Sequence, residues 1–258
     1  MTAAPVPPSG VGVPHVRVRC GAATATALRE TNEDSYFAAD GLYVVADGMG
    51  GHEAGEVASR TAVDVLSASL VGRTPHLADV VAVVREANAR VRDLATGWHR
   101  PPGTTVTGVV LTVWQRMPCW IVLNVGDSRT YRMIGGVLEQ VTQDHSEVAE
   151  LVASGAVAPE QALRHPRRNI VTRVLGGVDD EVEPDVLLFP VSSGDRMVVC
   201  SDGLSDVLTE ARIEAELRLE ADPQRAADRL VAAVLAAGGS DNVTVLVVDA
   251  AIDPLLVA

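Results

Sequence analysis

Three near-continuous apolar runs of the chain each end on an acid beside a glycine, and a fourth begins just after one: Leu42 to Asp47-Gly48, Ile121 to Gly126-Asp127, Met197 to Asp202-Gly203, and Asp241 ahead of Val243 to Val248. A buried strand ends where the backbone leaves the core, so acids at such ends can converge on one mouth of a β scaffold. Glycines there let backbone approach a ligand closely. Facing carboxylates repel one another unless a cation sits between them, and an oxygen-rich site of this kind suits Mg²⁺ or Mn²⁺. Each Asp-Gly pair taken alone is also the commonest short hairpin signal. Repetition at the ends of apolar runs is what points to a metal site.

The elements that must carry these acids are legible from periodicity. A strand is expected over Val16 to Ala23. After the first Asp-Gly, Ala54, Val57, Ala58, Thr61, Ala62, Val65 and Leu66 recur at three and four, with Glu56, Arg60 and Asp64 opposite, which predicts an amphipathic helix. A second follows, with Leu77, Val80, Val81, Val84, Ala87, Val91 and Leu94 on one face, ending near Gly97. Two helices with no strand between them suggest an antiparallel pair on one sheet face. From Thr104 the period changes: Thr105 to Trp114, Cys119 to Val125, Thr130 to Ile134 and Val137 to Val141 follow on short connections, the last through Gly135-Gly136. Strands joined so tightly are antiparallel, which argues against a doubly wound parallel sheet. The segment 143–180 stands apart. It is expected to open with a short helix capped by Asp144 and ended by Gly155, and it then carries the dense basic patch Arg164, His165, Arg167, Arg168 and Arg173. A strand Arg196 to Ser201, helices Glu210 to Leu219 and Pro223 to Ala237 with Asp222 as cap, and a strand Val243 to Val248 complete the chain.

Composition narrows the chemistry. At 258 residues and 47% hydrophobic, the chain can bury the core of one large domain. We expect a mobile Pro-rich tail over 1–14, a single folded domain over 15–252 and a short tail over 253–258. A net charge of -13 disfavours nucleic acid and anionic membrane as partners, since phosphate backbones bind through clustered cations. The sequence contains no lysine, all 21 basic residues being arginine. A Walker-type phosphate loop, a kinase ATP lysine and a Schiff-base lysine are therefore excluded. Cys20, Cys119 and Cys200 lack paired spacing, and none has an arginine six positions on, so a cysteine-dependent phosphatase loop is excluded too. They read as reduced thiols. With no apolar run of membrane-spanning length, a soluble cytoplasmic protein is expected.

In chain order the charged sites are Arg29, Glu33 and Asp34 in ALRETNEDSY, Asp47-Gly48 in VVADGMGG, Asp127 in NVGDSR, Asp202-Gly203 in VVCSDGLSD and Asp241-Asn242 in GGSDNVTV. GTTVTGVVL, Gln143 to His145, and HPRRNIVTRVLGG lie between them. From about Cys20 to Asp249 this ordered set resembles the metal-dependent protein phosphatase family (PPM, protein phosphatase 2C), of the bacterial serine/threonine type.

That resemblance implies an α+β fold, an αββα sandwich of two antiparallel β-sheets flanked by antiparallel helix pairs. It also implies a cleft holding two Mn²⁺ or Mg²⁺ ions, with a weaker third. Asp47 would bridge the two metals, the Gly48 carbonyl would bind one, and Asp202 and Asp241 would hold the other. Glu33 and Asp34 match outer acids that act through bound waters, and Asp127 matches the acid of the third ion. The implied reaction is hydrolysis of phosphoserine and phosphothreonine in proteins by a metal-bridging hydroxide, opposing bacterial Ser/Thr kinases, in a monomer. Arg29 takes the role of phosphate clamp, because a planar guanidinium matches two phosphate oxygens. The segment 143–180 matches the family's flap, where Arg167 and Arg168 would help dock phosphopeptide. Met49 stands where many relatives have histidine, so the leaving-group acid falls to a bound water, His52 or His145. The rival reading is a regulatory or binding protein of the same fold with little turnover.

Overall fold

The computed structural model describes residues 13–51, 53–95, 101–162, 165–177 and 181–253. Of the expected tails only Val13, Pro14 and Asp253 fall among these; His52, Gly97 and Arg164 lie outside them.

The strands are β1 (Val16–Ala25), β2 (Asp34–Ala39), β3 (Leu42–Met49), β4 (Gly103–Thr104), β5 (Val106–Trp114), β6 (Met117–Val125), β7 (Arg129–Ile134), β8 (Val137–Gln140), β9 (Asp185–Pro190), β10 (Asp195–Cys200) and β11 (Val243–Ile252). The helices are α1 (Glu53–Leu70), α2 (Leu77–Asp93), α3 (Glu147–Ala153), α4 (Pro159–Ala162), α5 (Asp202–Ser205), α6 (Glu210–Leu219) and α7 (Pro223–Ala236). One sheet runs β1-β11-β10-β7-β8 and the other β2-β3-β5-β6-β9, with β4 paired to β3. Their strand pairs are antiparallel throughout.

Three apolar layers explain why the central strands read as unbroken hydrophobic runs. On β3, Leu42, Val44 and Ala46 pack with Ala58, Ala62 and Leu66 of α1 and Val80, Val84 and Ala87 of α2. Tyr43 and Val45, pointing the other way, meet Trp120, Val122, Val199 and Leu246 between the sheets. Val243, Val245 and Val247 of β11 join Ile213, Leu217, Leu230 and Val234 of α6 and α7 in the outer layer of the second sheet. Alternate residues thus face a helix layer and the inter-sheet layer, so every position must be apolar. This is the expected αββα sandwich. Each fully buried Leu or Val contributes about 1.5–3 kcal/mol.

One expectation is corrected. Asp144 does not cap α3: Ser146 does, its side chain accepting from the Ala149 N–H at 3.3 Å. Asp144 instead receives three hydrogen bonds from Arg129, at 2.7 to 3.1 Å. Three strands have no counterpart in the sequence reading: β2, β4 and β9.

Candidate metal centre

The sandwich brings the strand-end acids to one pole. Asp34 opens β2 and Asp47 lies near the end of β3, and the two are direct cross-strand partners. Like charges placed opposite one another destabilise a ladder, so this pairing calls for a positive charge nearby. Asp127 follows β6, Asp202 follows β10 and Asp241 precedes β11, all at the same end of their sheets.

Electrostatics binds these acids into one cluster. Burial, then the charges of Asp34, Asp202, Asp127 and Asp241, push the Asp47 carboxyl well above the usual range. Asp202 is raised likewise, by burial and then by Asp127, Asp206, Asp241 and Asp34. Asp34 and Asp127 are both pushed up to about 6, burial again being the largest cause. Such shifts mean that the carboxylates cannot all ionise beside one another unaided. Among the described residues no three His, Cys, Asp or Glu side chains are gathered so as to hold an ion as they stand. The mutual shifts nevertheless mark Asp34, Asp47, Asp127, Asp202 and Asp241 as electrostatic neighbours.

The donor set fits a hard divalent ion. It is all oxygen, and the Asp34 Oδ1 atom is buried without a hydrogen-bond partner. The three cysteines are unpaired. Cys20 and Cys200 are each pushed up to about 12, chiefly by burial, and are inert thiols.

The backbone around the acids is held by polar residues that the sequence reading passed over. Asp47 N–H donates to Thr105 Oγ1 at 3.0 Å, and its carbonyl accepts from Thr105 N–H at 2.9 Å and Thr104 Oγ1 at 2.8 Å. Thr105 Oγ1 also meets Ser128 Oγ, beside Asp127, at 2.7 Å. Ser201 sits at the N-cap of α5, yet its hydroxyl donates to Asp34 Oδ2 at 2.8 Å and accepts from Thr244 N–H at 2.9 Å. One hydroxyl thereby ties β2, the Asp202 turn and β11 together. Ser128, Ser201 and Thr244 lie within strings that carry the acids, and Thr104 and Thr105 within GTTVTGVVL, but nothing beyond polar type near a strand end marked them.

Close backbone contact explains two glycines. A Cβ on Gly48 would lie 2.1 Å from the Gly55 carbonyl and 2.6 Å from that of Glu33. On Gly203 it would lie 2.0 Å from the Asn242 carbonyl. The Glu33 carboxylate rests against Gly55 in the first turn of α1, where the helix N-terminus favours negative charge.

Arg29 projects from the β1–β2 connection and donates to Asp241 Oδ2 at 2.7 Å. This pair is open to solvent, the side chains being 58% and 45% exposed. The basic patch is less free than its composition suggests. Arg167 pairs with Glu147, Arg168 lies 3.9 Å from Asp206, and Arg173 donates to Asp185 at 2.9 Å and to the Glu183 carbonyl at 3.0 Å. His145 is buried and accepts from the Gly126 N–H through Nδ1 at 3.1 Å. Nε2 lies 3.2 Å from Asp185 Oδ2 and 3.0 Å from Arg173 Nη1, which itself donates to the same Asp185 carboxylate. With both nitrogens committed, His145 anchors the segment after β8 and is not placed to protonate a leaving group.

The family model described as Protein phosphatase 2C matches residues 27–237. The serine/threonine phosphatase stp of Listeria innocua is 36% identical over 216 residues, covering 81% of this chain and 84% of the relative. The serine/threonine protein phosphatase PstP of Mycobacterium tuberculosis is 39% identical over 230 residues, covering 86% of this chain but 43% of PstP. This chain therefore spans less than half of that relative's length. A crystal structure of the PstP catalytic domain in complex with 2 manganese ions superposes with a TM-score of 0.82 at 35% identity, covering 92% of this chain and 100% of that one.

Proposed function

The chain belongs to the protein phosphatase 2C family, and from that premise we infer that it is a metal-dependent protein serine/threonine phosphatase. The observation that carries this reading is the meeting of Asp34, Asp47, Asp127, Asp202 and Asp241 at one pole, with Arg29 reaching the same place. Asp47, the Gly48 carbonyl, Asp202 and Asp241 would hold two Mn²⁺ or Mg²⁺ ions, with Glu33 and Asp34 behind them and Asp127 serving a weaker third. Bound there, two divalent cations offset the charge growing on the phosphoryl oxygens and acidify water into a nucleophile at neutral pH.

The chain's own residues do the rest. Thr104 and Thr105 fix the Asp47 backbone on both sides, so its carboxylate is aimed before any ligand arrives. Arg29 presents a fork of donors that suits two phosphoryl oxygens at once, and it binds them by exchanging Asp241 for the phosphate. Met49 offers no proton to the departing serine or threonine oxygen. Arg167 and Arg168 dock acidic or phosphorylated peptide by leaving Glu147 and Asp206, a swap of partners that keeps both ends neutralised.

Every acid and Arg29 come from one chain, which supports a monomer as the working unit. The free thiols support a reducing, cytoplasmic setting. No helix among the described residues is long and apolar enough to cross a membrane. The partners are phosphoproteins, and we place Ser/Thr kinases and their targets among them.

The deciding experiment is Mn²⁺-dependent phosphate release from a phosphothreonine peptide. Turnover that disappears with a chelator and with Asp47→Ala supports the enzyme. Binding of the peptide without release supports the regulatory reading.

A further inference from the structure

Asn242 follows Asp241 and is buried, with 6% of its surface exposed. Its Oδ1 accepts from the Glu33 N–H at 2.8 Å. Its Nδ2 donates to the Thr31 carbonyl at 2.9 Å and to the Thr26 carbonyl at 3.3 Å. These partners fix the orientation of the amide, since a flip would set donor against donor and acceptor against acceptor. All three lie in or at the end of the connection from β1 to β2, and Arg29 stands between Thr26 and Thr31.

At its β2 end the connection is also held through the Glu33 carbonyl, which accepts from Ser59 Oγ at 2.6 Å and from the Gly48 N–H at 3.2 Å, while Asn242 grips the backbone on either side of Arg29, at Thr26 and Thr31. Arg29 N–H closes a turn onto the Thr26 carbonyl at 3.0 Å, Asn32 Nδ2 reaches Thr24 Oγ1 at 2.8 Å, and Leu28 is 78% exposed. A guanidinium clamp needs its base held to about 0.5 Å, and a solvent-exposed loop does not supply that alone. No other side chain would serve in place of the amide. Aspartate lacks the two N–H donors, serine and threonine lack the reach, and glutamine carries the amide one methylene too far.

We propose that Asn242 is a positioning residue for phosphate recognition: from the loop that supplies Asp241, it holds the Arg29 connection so that the guanidinium stands over the acids. The proposal rests on the reading of Arg29 as the phosphate ligand. Through this one side chain the loop that carries a metal-site acid also sets where the phosphate clamp stands.

The test is a double-mutant cycle on the Mn²⁺-loaded enzyme with a phosphothreonine peptide, with inorganic phosphate as competing probe. Asn242→Ala is expected to raise KM and the phosphate inhibition constant together by about tenfold, while kcat changes by less than about threefold. In the Arg29→Ala background the same substitution should change KM little, because the residue through which it acts is gone. In metal-free protein, amide exchange should speed up over 26–33 with the sheets unchanged, a reading independent of activity. Asn242→Gln, expected to show a smaller shift in the same direction, covers the case in which the alanine variant does not fold. Arg29→Ala without effect on KM would remove both the clamp and this proposal. If Arg29→Ala raises KM while Asn242→Ala leaves it unchanged, or adds to it in full, the positioning role alone is overturned.

Discussion

Asp34 and Asp47 face each other across a β ladder, and that opposition sets the chemistry of the residues around them. Asp47→Ala and Asp202→Ala are expected to leave less than a few percent of wild-type turnover with an unchanged fold, since neither side chain contributes apolar packing. Asp127→Ala should slow the enzyme without abolishing activity. A steady-state assay beside a circular dichroism spectrum checks all three. Arg29→Lys should raise KM for phosphopeptide severalfold, because an ammonium keeps the charge and loses the two-pronged geometry. Single residues were legible in the sequence where they carried charge beside glycine at the end of an apolar run. Ser201, Thr105 and Asn242 were not, because their partners lie 23 to 216 positions away and no local pattern encodes a hydrogen bond across the fold.

Among the elements, strands buried on both faces read clearly, since β3, β6 and β11 have an apolar residue at nearly every position. β2 and β9 close the edges of their sheet, and their mixed burial gives neither a continuous run nor a clean alternation. The start of α3 misled for another reason. Asp144 and Glu147 imitate a capping box, while Ser146 has the shorter reach to the helix and Asp144 is taken by Arg129. That pair fastens the segment after β8 to the first residue of β7, two positions beyond Asp127. Asp144→Ala strands a largely buried guanidinium and should cost about 3 kcal/mol in a urea unfolding curve. Arg129→Met together with Asp144→Leu should recover much of it. A single-variant cost below about 0.5 kcal/mol would mean that the clamp does not hold.

At the scale of the molecule, the acids tie stability to pH and to metal. In metal-free protein the raised carboxyls of Asp34, Asp127, Asp47 and Asp202 bind protons more tightly in the folded chain than in the unfolded one. Their contribution is fully present below the ordinary aspartate pKa and is lost as pH rises through about 6 and beyond. A divalent cation competes with those protons and replaces their stabilising effect once they leave. The rise in Tm on adding Mn²⁺ should therefore be larger at pH 7.5 than at pH 5, read by scanning calorimetry at fixed salt. The sandwich itself was legible because helix and strand periods segregate cleanly along the chain. The convergence of its ends was legible only because four runs repeat one terminal motif. The most direct measurement is the anomalous difference map of a crystal grown in excess manganese. Two peaks enclosed by Asp47, the Gly48 carbonyl, Asp202 and Asp241, with Arg29 turned from Asp241 toward open solvent, are the predicted result. Those carboxylates pointing apart with no peak among them would contradict the account.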